Sequence, residues 1–128
     1  MNKEENVEFG NLFNDEAYRG DIMLMRYALN ELAEHLGHSF KNPLSLHLLC
    51  LELMIPFDVC WLMYKDIAWI VNSGSREEKE KLRDYHYVQK EIMCKHFPEA
   101  KEFNQLTIGA FMKALAKCYL PELLSYYN

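Results

Sequence analysis

Apolar side chains recur in steps of three and four through Ile22, Met25, Leu29, Leu32 and Leu36, which puts them on one stripe of a helix. Asp21 is of the type that caps such a helix, and Gly37 of the type that ends one. Upstream, Val7, Phe9, Leu12 and Phe13 are too apolar for a free tail, so residues 1–20 read as an N-terminal arm or short helix that packs on the body.

The most apolar stretch runs from His47 to Val71. A membrane span needs about 20 predominantly apolar residues without interruption. Glu52, Asp58, Lys65 and Asp66 interrupt this one, and Pro56 divides it, because proline disfavours helical geometry in the residue before it. Two helices are therefore predicted. The first opens at Asn42 and Pro43 and runs to Ile55; its apolar positions, Leu44, Leu48, Leu49, Leu51 and Ile55, cover most of the circumference and make it the central core element. His47 lies opposite the line of Ser45 and Glu52 and should point into protein. The second helix spans Phe57 to Asn72, with Asp58, Lys65 and Asn72 recurring every seven residues as its wet side. Trp61, Leu62 and Trp69 flank that line, and tryptophan beside a polar stripe marks either partial burial or a binding hot spot.

The stretch "NSGS" is the clearest break: Gly74 suits the left-handed conformation that ends helices, and Ser75 with Glu78 forms a capping box. One helix should follow, carrying Leu82, Tyr85, Val88, Ile92 and His96 or Phe97 on one side and ending at Pro98, with a further turn in "PEAKEF". Ile108, Phe111, Leu115 and Tyr119 mark another amphipathic helix, and Pro121 starts a short last one. No stretch alternates apolar and polar residues as a half-buried strand does. An all-α fold follows, a single compact bundle of five to six helices over residues 1–128.

Composition agrees with a folded domain: 50% of the residues are hydrophobic and 26% charged. The net charge of −5 disfavours direct nucleic-acid binding, which needs surplus Lys and Arg, and favours a basic partner. Cys50, Cys60, Cys94 and Cys118 form no CxxC pair and read as buried free thiols. With an acidic beginning that lacks an apolar signal core, this points to a cytoplasmic protein with no membrane role.

Chemistry-bearing motifs are sparse. Glu31 and His35 have helical i,i+4 spacing and His38 follows, but no second Glu-x-x-His unit completes a metal site, so His35 and His38 are weak metal candidates and no metal or cofactor is expected. Arg83 and His86 only loosely resemble the Arg-x4-6-His pair of helical HEPN ribonucleases, because two residues separate them here. Cys94, near Lys95 and His96, is a candidate activated thiol, but Cys94 and His96 point about 200° apart on a helix and do not face each other.

The leading expectation is a non-enzymatic protein-binding module: an inhibitor of the immunity-protein or antitoxin type, or a phage-encoded inhibitor, that neutralises a partner such as a basic nuclease toxin. Asp58, Trp61, Lys65 and Trp69 would carry the contact, with Glu77, Glu78 and Glu80 as an acidic rim. Tyr119, Tyr126 and Tyr127 offer a second contact, including a homodimer. The competing expectation is a small helical metal-dependent hydrolase or nuclease using His35, His38, His47 or His86.

Overall fold

Helix ends in this chain are set by local hydrogen bonds that the sequence largely announces. In the computed structural model, which describes residues 15–127 and the side chains of 18–125, Ser75 Oγ accepts from the Glu78 N–H at 3.1 Å. Glu78 Oε1 accepts in return from the Ser75 N–H at 3.0 Å, completing the capping box. Among the described residues there are six α-helices: α1 Asp15–His35, α2 Leu46–Glu52, α3 Phe57–Ser73, α4 Arg76–Asp84, α5 His86–His96 and α6 Gln105–Cys118. Short 3-10 turns occupy Pro98–Glu102 and Pro121–Leu123, and a single helical turn, Leu124–Tyr127, closes the chain; no strand occurs among the described residues. The class is all-α, as the patterning predicts. No helix among the described residues is long and apolar enough to cross a membrane.

The chain divides into two units, Met1–Leu36 and Gly37–Asn128. In the first, α1 is already helical at Asp15, so Asp21 lies inside the helix and does not cap it. Most of the arm expected over 1–20, and with it Val7, Phe9, Leu12 and Phe13, lies outside the described residues. After α1, Gly37 takes the left-handed φ of 89° that only glycine adopts without strain.

In the second unit the central element is α6, not the stretch Leu44 to Ile55. Ile108, Ala110, Phe111, Met112, Ala114, Leu115 and Ala116 are all buried and cover about two-thirds of the circumference of α6, leaving Leu106, Gly109, Lys113 and Lys117 as its outer face. Each large apolar side chain withdrawn from water in this way contributes about 1.5–3 kcal/mol. Asn104 starts α6, its Oδ1 accepting from the Thr107 N–H at 2.9 Å. By contrast α2 has only seven residues and starts at Ser45, whose hydroxyl caps the Leu48 N–H. Asn42 instead closes a turn with Ser39 and accepts a hydrogen bond from Lys117 Nζ. The end of α2 is a Schellman motif: the Ile55 N–H reaches Cys50 O at 2.8 Å and the Met54 N–H reaches Leu51 O, with Met54 at φ 61°.

His47, expected to point into protein, is exposed instead. Leu44 and Leu51 are exposed on the same side as His47, and Leu46, Leu48, Leu49 and Cys50 are the buried face. Glu52 is half-buried and bonds His38 Nε2 at 3.1 Å.

Two further expectations change. Gly74 ends α3 at φ −68°, not in the left-handed region; glycine is needed because a Cβ there would lie 2.6 Å from Ile70 O. The helix expected from Ser75 to His96 is broken at Tyr85, which is extended. A continuous helix would satisfy Leu82 O with the His86 N–H. Here the buried Gln89 side chain donates to it instead, Nε2 to O at 2.7 Å.

Candidate functional site

Phe57, Trp61 and Tyr64 stand at i, i+4 and i+7 of α3 and so share one flank. Across from them α2 presents Leu46 and His47, and the end of α6 presents Tyr119. Together with Cys60 these residues enclose a recess of about 240 Å³. Its rings touch in an unbroken arc. Trp61 stacks on Tyr64 at 5.3 Å between centroids, and Tyr64 meets Tyr119 edge-on at 5.9 Å. Tyr119 meets His47 edge-on at 5.7 Å, and His47 stacks on Phe57 at 5.8 Å. The Tyr119 hydroxyl and His47 Nδ1 are hydrogen-bonded at 3.2 Å, which leaves the arc with a polar point on an otherwise apolar wall. Such a lining accepts an apolar or aromatic group and orients it by few polar contacts.

The rims of this recess are open to solvent: Trp61 is 52% and Phe57 73% exposed. Its floor is core, since Leu46 and Cys60 are buried. Cys50 lies behind Cys60 with their sulfurs 3.1 Å apart, the Cys50 thiol donating. That hydrogen bond lowers the Cys60 thiol from its ordinary value, against the opposing effect of burial. The same contact, together with burial, pushes the Cys50 thiol up. Of the other cysteines, Cys94 is half-buried and Cys118 exposed, so the expectation of four buried thiols holds only for Cys50 and Cys60.

Trp69, 57% exposed, lines a different concavity. Eight residues along a helix rotate the side chain by about 80°, enough to carry it past the polar line of Asp58, Lys65 and Asn72. All three of those residues are exposed, and they form a ridge with Trp61 on one side and Trp69 on the other. The Trp69 groove, about 500 Å³, is lined by Asp66, Ile70, Glu78, Glu91, Ile92 and Lys95. Asp66 accepts from His96 Nε2 at 2.7 Å and from Lys95 Nζ at 3.4 Å. Burial works to raise the Asp66 carboxyl, but the hydrogen bonds from His96 and Lys95 and their charges outweigh it and hold the carboxyl below its ordinary value.

The expected acidic rim is largely committed to its own helix. Glu77 pairs with Lys81 at 3.0 Å and Glu80 with Arg76 at 3.1 Å, both at i,i+4, while Glu78 serves the capping box. Only Glu78 of the three lines the groove, where Glu91 joins it. Patterning overlooked Glu91, and it overlooked Phe57, Tyr64 and His47 as recess lining. The i, i+4, i+7 aromatic spacing was a usable signal for the first two of these lining residues.

The candidate metal ligands have other tasks or belong to different units of the chain. The Leu44 N–H donates to His38 Nδ1 at 3.0 Å, which puts the ring proton of the neutral form on Nε2, where Glu52 accepts it. His38 thus pins the segment before α2 to the end of α2. His35 ends α1 in the other unit, and His86 is exposed at the first residue of α5. Among the described residues no group of three or more His, Cys, Asp or Glu side chains is arranged to hold a metal ion.

Comparison with protein-family models, with curated proteins and with solved structures finds no match to this chain.

Proposed function

We propose that this protein works by binding another protein, as an inhibitor of the immunity-protein, antitoxin or phage-encoded type that complexes a basic partner such as a nuclease toxin. One observation carries the reading: α3 turns two half-exposed tryptophans outward, each at the wall of its own concavity. Tryptophan is one of the residue types enriched at interface hot spots, which cluster in well-packed pockets. The recess suits an apolar or aromatic anchor from the partner. The Trp69 groove suits a lysine or arginine, because an indole face and the carboxylates of Glu78 and Glu91 both attract a cation. Asp58 and Lys65, on the ridge between them, would fix register, and the net charge of −5 would speed encounter with a basic surface.

The test is capture of partners from the native host, reconstitution with the purified partner, and titration of that complex against Trp61→Ala and Trp69→Ala. Each variant should weaken binding by more than about 1 kcal/mol, roughly fivefold in Kd, with unchanged helical circular dichroism. The complex should also block the partner's activity, and raised salt should weaken the Trp69 contact more than the Trp61 contact. Wild-type affinity in both variants, or a partner whose activity is untouched in the complex, would overturn the proposal. Light scattering of the chain alone distinguishes a homodimer through the Tyr119 face.

A further inference from the structure

Cys50 and Cys60 come from different helices and are nonetheless in sulfur-to-sulfur contact at 3.1 Å, both as free thiols. About 1 Å of approach separates this from a disulfide bond length. The two positions differ in a way that divides the chemistry between them. Both are buried, but Cys60 borders the aromatic recess and is the one of the two next to space a small molecule can enter, whereas Cys50 is packed in the core behind it. The hydrogen bond runs from the Cys50 thiol to the Cys60 sulfur, so Cys60 is the better placed of the two to carry negative charge.

We propose that Cys50 and Cys60 form a redox-active dithiol at the floor of the recess, oxidised by a low-molecular-weight disulfide that enters through the recess. The Cys60 thiolate attacks one sulfur of the small disulfide, forming a mixed disulfide and releasing one thiolate. Cys50 then gives up its proton to that thiolate and attacks the Cys60 sulfur, expelling the second small thiolate, which takes the proton that Cys60 lost. Two protein thiols and one small disulfide thus become one protein disulfide and two small thiols, a transfer of two electrons. The new bond ties α2 to α3 across the turn that holds Met54 and Pro56 and places a closed disulfide beneath Trp61 and Tyr64. The inference does not depend on what the recess binds.

The experiment treats the reduced full-length chain with oxidised glutathione, quenches with acid, alkylates under denaturing conditions and maps the cysteines by mass spectrometry. A Cys50–Cys60 linked peptide is expected, with both sites lost to alkylation together, and the unfolding midpoint should rise by about 10 °C on closing the short loop. Cys50→Ser should trap glutathione on Cys60, whereas Cys60→Ser should leave Cys50 fully alkylatable. The exposed Cys118 serves as internal reference for oxidation strength. The proposal is overturned if Cys118 is glutathionylated while Cys50 and Cys60 remain alkylatable, if wild-type Cys60 stops at the mixed disulfide, or if either pairs with Cys118 instead. The wild-type map decides the matter even where a serine variant does not fold.

Discussion

The two flanks of α3 put the same residue type to different uses. On one flank Trp61 ends an arc of rings that brace one another from Phe57 round to Tyr64, over a floor of core side chains. On the other, Trp69 has no ring neighbour in its groove and lies with Ile70 and Ile92 among charged groups held by ion pairs and by the capping box at the start of α4. Rings in mutual contact lose little freedom when a ligand arrives, so the recess is preorganised. The groove is held by exposed charges, which are individually weak and screened by salt. The recess thus rests on rings and buried side chains, while the groove sets Ile70 and Ile92, which also pack on the core, among surface ion pairs that salt weakens. The ridge of Asp58, Lys65 and Asn72 keeps the two apart on a single helix.

The strongest way to break this contrast is Leu46→Ala, which removes a buried side chain shared by the recess floor and the core. It should cost about 2–5 kcal/mol in urea unfolding. Followed in a Trp69→Phe background, where Trp61 is the remaining tryptophan, the emission should shift to the red. The same change followed from Trp69 in a Trp61→Phe background should leave its emission in place; a matching shift would mean that the two sites are one.

Gly74→Ala addresses the other flank. A Cβ only 2.6 Å from Ile70 O forces the joint between α3 and α4 to move, and Glu78 on α4 forms part of the groove. A loss of about 1–3 kcal/mol is expected from the overpacking, with Trp69 emission altered and Trp61 emission unchanged.

The smallest effect concerns pH. Because Asp66 is held below its ordinary value when folded, its contribution to stability is fully present above the unfolded carboxylate range, near 3.9, and is lost as pH falls through the lower folded value. Asp66→Asn should therefore flatten the acid limb of a stability-versus-pH profile while leaving the recess unaltered. A wild-type acid limb in that variant would remove the His96 and Lys95 pair from the account of the groove.

How much was legible from residues alone follows from the range of the forces involved. The capping box at Ser75 and Glu78, the start of α3 at Phe57 and the turn after Pro98 each depend on groups a few residues apart, and each appears where the pattern predicts it, whereas α2 ends at Glu52, three residues before the Ile55 end expected from Pro56. The break at Tyr85 was hidden because it depends on a buried side chain, Gln89, reaching back to Leu82 O, which local propensity does not encode. The inward reading of His47 failed for a related reason: Leu44 and Leu51 are apolar yet exposed, so composition around the wheel pointed to the wrong face.

By itself, then, the sequence determined the helical class, both ends of α3, the capped start of α4, the end of α5 before Pro98 and the fact that α3 carries its tryptophans beside a polar line, since period and capping are local properties of the chain. Only the tertiary structure decided that α6 is the central helix and that Trp61 and Trp69 serve separate concavities. It also decided that Cys50 meets Cys60, and that His47 meets Tyr119 from 72 residues away. Those pairings depend on how whole helices pack, and packing is chosen by the summed burial of many side chains, not by any spacing that can be read along the chain.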